Sequence, residues 1–196
     1  MYRVRYTTPE QYFRHYAQKG QADLLRKVFP QVDMSLAQLS SLLNDLVSYN
    51  KYDKDVYEFL LSQGIDVNQK FDDHFDSLKT YHGSAIVLDN KSMLSHLIRF
   101  GAKLNEKEIN TVIKELIKST YFDREEYELA MIILDTQNLN EDQKRKMLEA
   151  VKDINQYADE QNRMKQYRQE VVTRLESELT PKKKEKKKNI LKALFQ

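Results

Sequence analysis

The chain reads as an all-α protein in which helix pairs lie side by side and share one core. Three observations predict this. A phrase occurs twice: residues 56–68 are VYEFLLSQGIDVN and residues 93–105 are MLSHLIRFGAKLN, in register at a spacing of 37 residues. Each is an apolar helix end, then a glycine (Gly64, Gly101), then an apolar residue and an asparagine (Asn68, Asn105). Repetition at such a period marks stacked units, because one helix pair cannot bury both of its faces without neighbours. Apolar residues also recur at spacings of three and four along most of the 196 residues. Finally, 4 Gly and 3 Pro are too few turn formers for an all-β fold.

Thr8-Pro9-Glu10-Gln11 opens the first helix. Thr8 caps it, Pro9 occupies a first helical position where its missing N–H has no partner to lose, and Gln11 completes a capping box. The helix runs to about Ala17 and breaks at Lys19-Gly20; Ala22 to Phe29 forms the second, stopped by Pro30. Asp33 or Ser35 caps a third, with Leu36, Leu39, Leu42, Leu43, Leu46 and Val47 on one face. Asp53 opens a fourth, with Val56, Phe59, Leu60 and Leu61 inward and Gly64 as the left-handed residue at its C-terminus. Residues 80–89 and 91–100 form a further pair closed by Gly101, and residues 106–119 and 123–135 the next. That next pair echoes an earlier one, since STYFDREEYELAM (119–131) follows YNKYDKDVYEFLL (49–61) at an offset of 70.

The repeat stops after Asn140. Residues 141–179 read as one long helix, its first half (Met147, Val151, Ile154, Ala158) capping the stack. Its second half (Val171, Val172, Leu175, Leu179) extends as a free or partner-bound helix that Pro181 ends. The expected domains are therefore 1–140, 141–180 and a basic tail, 181–196.

The segment from Thr80 to Asn105, TYHGSAIVLDNKSMLSHLIRFGAKLN, resembles an ankyrin repeat. Thr80 stands at the Thr of the family's opening turn and Ala85 at the first Ala of its first helix. Leu97 and Ile98 stand at the Leu pair of the second helix, and Gly101-Ala102 and Asn105 at the end, with no gap. Tyr81, His82 and Gly83 replace Pro-Leu-His, and Asp89 replaces the inter-helix Gly. The unit at about 43–68 keeps GIDVN, that at about 8–33 keeps Ala17, Gly20 and Leu24-Leu25, and that at about 113–140 keeps helix spacing and Asn140. The resemblance covers roughly residues 8–140. It implies an ankyrin-like stack of about four degenerate repeats that binds another protein. It also implies that the loop 69–79, QKFDDHFDSLK, projects at the edge of a concave binding face.

Composition narrows the chemistry. Hydrophobic residues make up 40% and charged residues 32%, as in a soluble, polar-surfaced protein. The absence of Cys removes disulfides, thiolate nucleophiles and Cys-based zinc sites, and fits a reducing compartment. The first residues, MYRVRYTTPEQYF, lack the apolar run of a signal peptide, and no stretch approaches 18 apolar residues. The expected location is cytoplasmic, with membrane association or delivery into a host cell as further readings.

The four histidines (His15, His74, His82, His96) include no pair at i,i+4. Asp72, Asp73, His74 and Asp76 form an acidic cluster, but the Gly and terminal Glu of a calcium loop are missing, so a solvated loop is the simpler reading. No Gly-rich phosphate loop and no Gly-x-Ser-x-Gly elbow occurs. The sequence thus predicts no enzyme, no metal site, no cofactor and no small-molecule substrate.

Partner contact is the remaining class. Twelve Tyr without Trp is an interface-prone aromatic set. Turn aromatics Tyr49, Tyr52, Tyr81, Tyr121 and Phe122, with Phe71, Asp72, Asp73 and Phe75 of the long loop, are the candidate partner-binding residues. The alternative is that these rings pack on neighbouring turns. The tail PKKKEKKKNILKALFQ holds seven Lys and one Glu, a net of +6, leaving −4 on the other 180 residues of a chain whose total is +2. Lys182, Lys183, Lys184, Lys186, Lys187 and Lys188, ahead of Ile190, Leu191, Leu194 and Phe195, suit an anionic membrane surface at about 1 kcal/mol per basic residue. A solvated end or a docking peptide for another protein, an import receptor included, fits the same composition. Nucleic acid is disfavoured by the acidic body. The expectation is a non-enzymatic protein-interaction module, an adaptor, inhibitor or effector, with a membrane-tethered scaffold as the alternative.

Overall fold

The computed structural model describes residues 6–72, 78–118, 122–153 and 162–180. Among these residues the regular structure is ten α-helices, a short 3-10 helix (Phe29–Gln31) and one two-stranded sheet, an all-α protein. The chain divides into two compact units, one ending at Asn105 and the other starting at Glu106.

The first unit runs α1 (Pro9–Gln18), α2 (Ala22–Val28), α3 (Leu36–Ser48), α4 (Lys54–Ser62), β1 (Lys70–Asp72), β2 (Leu78–Thr80), α5 (Tyr81–Val87) and α6 (Lys91–Arg99). Its helix starts are set by short polar side chains. Asp53 Oδ1 accepts from Val56 N–H at 3.0 Å, Thr80 Oγ1 from Gly83 N–H at 3.0 Å and Asn90 Oδ1 from Met93 N–H at 2.8 Å. Ser35, not Asp33, caps α3, and with Gln38 it completes a capping box. At α1, Thr8 caps as expected, but Gln11 Oε1 accepts from Thr7 N–H at 2.7 Å, one residue before the capping-box donor.

The three inter-helix turns share one backbone design. Gly20, Asn50 and Asp89 have φ of 67°, 50° and 49°. In each turn, the left-handed residue donates three residues back, to Ala17, Val47 or Ile86. The residue after it donates five back, to Tyr16, Leu46 or Ala85. This arrangement satisfies the last carbonyls of each first helix, and Asn or Asp can take the left-handed position in place of Gly.

Successive pairs lie side by side: α1 packs on α3, α3 on α5, and α2 on α4. Leu42, Leu43, Val56, Leu60 and Leu97 are fully buried between them. Burial of such a side chain contributes about 1.5–3 kcal/mol. The repeated phrase has one geometry, with Gly64 and Gly101 both at φ 94° and no atom within 4 Å of a Cβ added at either. Backbone conformation alone therefore calls for these glycines.

The two phrases are also joined. Asn68 Nδ2 donates to Gly101 O at 3.1 Å, and Lys103 N–H donates to Asn68 Oδ1 at 2.8 Å. Asn68→Ala removes both bonds and is expected to destabilise the first unit by about 1–3 kcal/mol. A lowered urea midpoint would register it; an unchanged midpoint would mean the bridge contributes nothing.

The second unit comprises α7 (Glu106–Lys118), α8 (Arg124–Thr136), α9 (Glu141–Asp153) and α10 (Asn162–Leu179). α7 packs on α9, α8 on α10 and α9 on α10. This corrects two expectations. The boundary expected after Asn140 falls at Asn105, because α7 and α8 pack with α9 and α10 in one unit. The single long helix over 141–179 is two helices, with α10 packed against α9 and α8. Val171 and Leu175 are fully buried, as are Met147 and Val151, and Lys144–Glu178 (2.8 Å) and Arg174–Asp135 (3.4 Å) ion pairs flank the packing. A projecting helix would leave this apolar stripe in water; packing it removes that cost. Ile154 and Ala158 lie outside the described residues.

Candidate interaction surface

The expected surface residues are distributed differently from the sequence reading. Phe71 and Tyr81 are core residues, which corrects their assignment to a partner-facing edge. Pairing of β1 with β2, Phe71 opposite Lys79, anchors the base of the expected loop. Phe71 is buried and stacks on the Tyr81 ring at 5.1 Å and 28°. Tyr81 is 0% exposed; its hydroxyl accepts from Gln69 Nε2 at 2.5 Å and donates to Ser40 O at 3.4 Å. Burial pushes the Tyr81 phenol up to about 12, with the two hydrogen bonds acting the other way. Phe122, immediately before the Asp123 cap of α8, is also fully buried. A ring without accessible surface offers nothing to a partner, so these three assignments are withdrawn.

Tyr52 is half-buried and lies edge-on to Tyr57 at 5.1 Å and to His96 at 6.1 Å. It belongs to the packing between α4 and α6. Asp72 ends β1 opposite Leu78. Asp73, Phe75 and Tyr121 lie outside the described residues, as do His74, Asp76 and the tail lysines Lys182, Lys183, Lys184, Lys186, Lys187 and Lys188.

Tyr49 is the expected ring that stands outward, 64% exposed at the C-terminal cap of α3. It has apolar company at the same ends of the helix pairs: Val87 (77% exposed) and Leu88 (37%) where α5 ends, and Leu24 (40%) in the first turn of α2. The turns that carry them are tied together. Asn90 Nδ2 donates to Asn50 Oδ1 at 2.7 Å. Asp53 lies against Gly20, its Oδ2 only 2.9 Å from where a Cβ would stand. An open groove of about 300 Å³ beside these turns is lined by Gly20, Gln21, Ala22, Asp23, Leu24 and Asp55. Its lining carries two carboxylates and no cationic side chain.

The sequence reading missed Leu24, Val87 and Leu88. A signal was available for two of them: Val87-Leu88 directly precedes Asp89-Asn90, a pair suited to a turn, so these side chains fall at a helix end. Leu24, inside an apolar helical pattern, gave none.

No described helix is long and apolar enough to cross a membrane. Among the described residues, no group of three His, Asp or Glu is placed to hold a metal ion. Comparison with protein-family models, with curated proteins and with solved structures finds no match. The class defined by fold and surface is thus a two-unit all-α protein whose first unit sets apolar side chains along a row of inter-helix turns.

Proposed function

We propose that the first unit is a degenerate ankyrin-like stack that binds another protein, without catalysis, through the edge formed by its inter-helix turns. The observation that carries this reading is the tied row of turns presenting Leu24, Tyr49, Val87 and Leu88 beside a groove with two carboxylates. The left-handed conformation of Asp89, at the position where the family has its inter-helix Gly, supports the repeat assignment. The fitting partner is a protein surface with an apolar patch flanked by Lys or Arg. Desolvated aromatic and aliphatic side chains supply most of the affinity in such contacts, and the carboxylates Asp23 and Asp55 favour a basic rim.

The test is a triple variant of the full chain, Tyr49→Ala, Val87→Ser, Leu88→Ser, in affinity purification from native cells. Co-purification of partners should fall at least roughly tenfold, the loss of one desolvated anchor. Thermal unfolding should move by no more than about 0.5 kcal/mol per site, as at other exposed positions. Undiminished capture by a folded triple variant would exclude this edge.

A further inference from the structure

His96 is 4% exposed in α6, and its Nε2 has no hydrogen-bond partner. Rings surround it: Phe100 at 5.0 Å and 33°, Tyr52 at 6.1 Å and 64°. Tyr52 abuts Tyr57 of α4, whose hydroxyl reaches Met93 Sδ of α6 at 4.0 Å. The seam between α4 and α6 is therefore an aromatic cluster around an imidazole.

A neutral imidazole tolerates this site; an imidazolium does not, because both of its nitrogens donate and Nε2 faces no acceptor. The surrounding charges act in both directions. Glu58 and Asp55 of α4 favour the cation, while Lys54 of α4 and Arg99 of α6 oppose it. The other first-unit helix packed on α6 is α5, whose titratable residues are Tyr81 and His82, with no Asp, Glu, Lys or Arg. Burial is the strongest influence and holds His96 below the ordinary value of 6.5.

We propose that protonation of His96 is an acid-triggered switch that opens the α4–α6 seam and loosens the first unit in mildly acidic surroundings. The sign follows from linkage. The unfolded chain takes up a proton near the ordinary value of 6.5, which the folded seam resists. Below that pH the opened form holds more protons, so the stability is fully present above it and declines as pH falls. This behaviour does not depend on the partner surface.

The experiment follows the histidine ring signals and amide exchange of the full chain by NMR, from about pH 7.5 to about pH 5, the range in which unperturbed histidines titrate. The His96 ring should stay neutral as the pH passes below the ordinary value of 6.5. Protection factors in α4 and α6 should fall by up to about tenfold per pH unit, the limit for one linked proton. His96→Phe should abolish that slope, whereas His15→Gln, which removes a histidine bonded to Tyr6 in α1, should leave it intact. A His96 ring that titrates at 6.5 or above overturns the proposal. So do equal protection profiles in wild type and His96→Phe. If His96→Phe does not fold, the wild-type ring titration and protection slope decide alone.

Discussion

Replacing Tyr81 with alanine is expected to lower the unfolding free energy of the first unit by about 3–5 kcal/mol, the cost of truncating a large buried aromatic. The ring is 0% exposed, stacked on Phe71, and its hydroxyl joins Gln69 to the Ser40 carbonyl of α3. Truncation leaves a cavity where the hairpin meets α3 and α5, and removes a partner from two polar groups. A domain of this size has about 5–15 kcal/mol in all, so the variant should be largely or partly unfolded at physiological temperature. Urea unfolding of the full chain, with Tyr49→Ala as the exposed counterpart, decides the matter. Were Tyr81 a surface ring, both variants would stay within about 0.5 kcal/mol of wild type.

In the second unit, Leu175→Ala should cost about 2–5 kcal/mol, the range for a fully buried leucine. Leu175 lies on α10, which packs against α9 and α8, in a unit whose core also buries Met147 and Val151. A helix that projected freely would lose almost nothing on this change, since alanine is the best helix former. Thermal unfolding monitored by circular dichroism should show the second unit melting earlier. An unshifted transition would mean that α10 does not add to the stability of its unit.

Legibility in the sequence followed the range of the interactions. Helix starts at Thr8, Ser35, Asp53 and Asp123 and the left-handed Gly64 and Gly101 were readable because each depends on a few adjacent residues. Asn50 and Asp89 take the same conformation without being glycine, so those turns carried only the weaker signal of Asn and Asp. The division of 141–179 into two helices was hidden for a related reason: the stretch contains neither Gly nor Pro. There, burial of Val171 and Leu175 in the tertiary structure decides the outcome, and local propensity does not. Phe71 and Tyr81 were misplaced because their burial depends on strand pairing between residues ten positions apart, Lys70 with Thr80. Of the candidate surface, Tyr49 was visible as a turn aromatic, whereas its association with Val87 and Leu88 rests on the Asn50–Asn90 bond across 40 residues.

The hairpin has a practical corollary for protein engineering. Asp72 and Leu78 are already opposite one another, so a peptide spliced between them would enter and leave at a single location. Asn68 would still reach Gly101, and the cost of a longer excursion rises only logarithmically with its length. An epitope tag or a reporter grafted there should leave the register of the neighbouring helices unchanged.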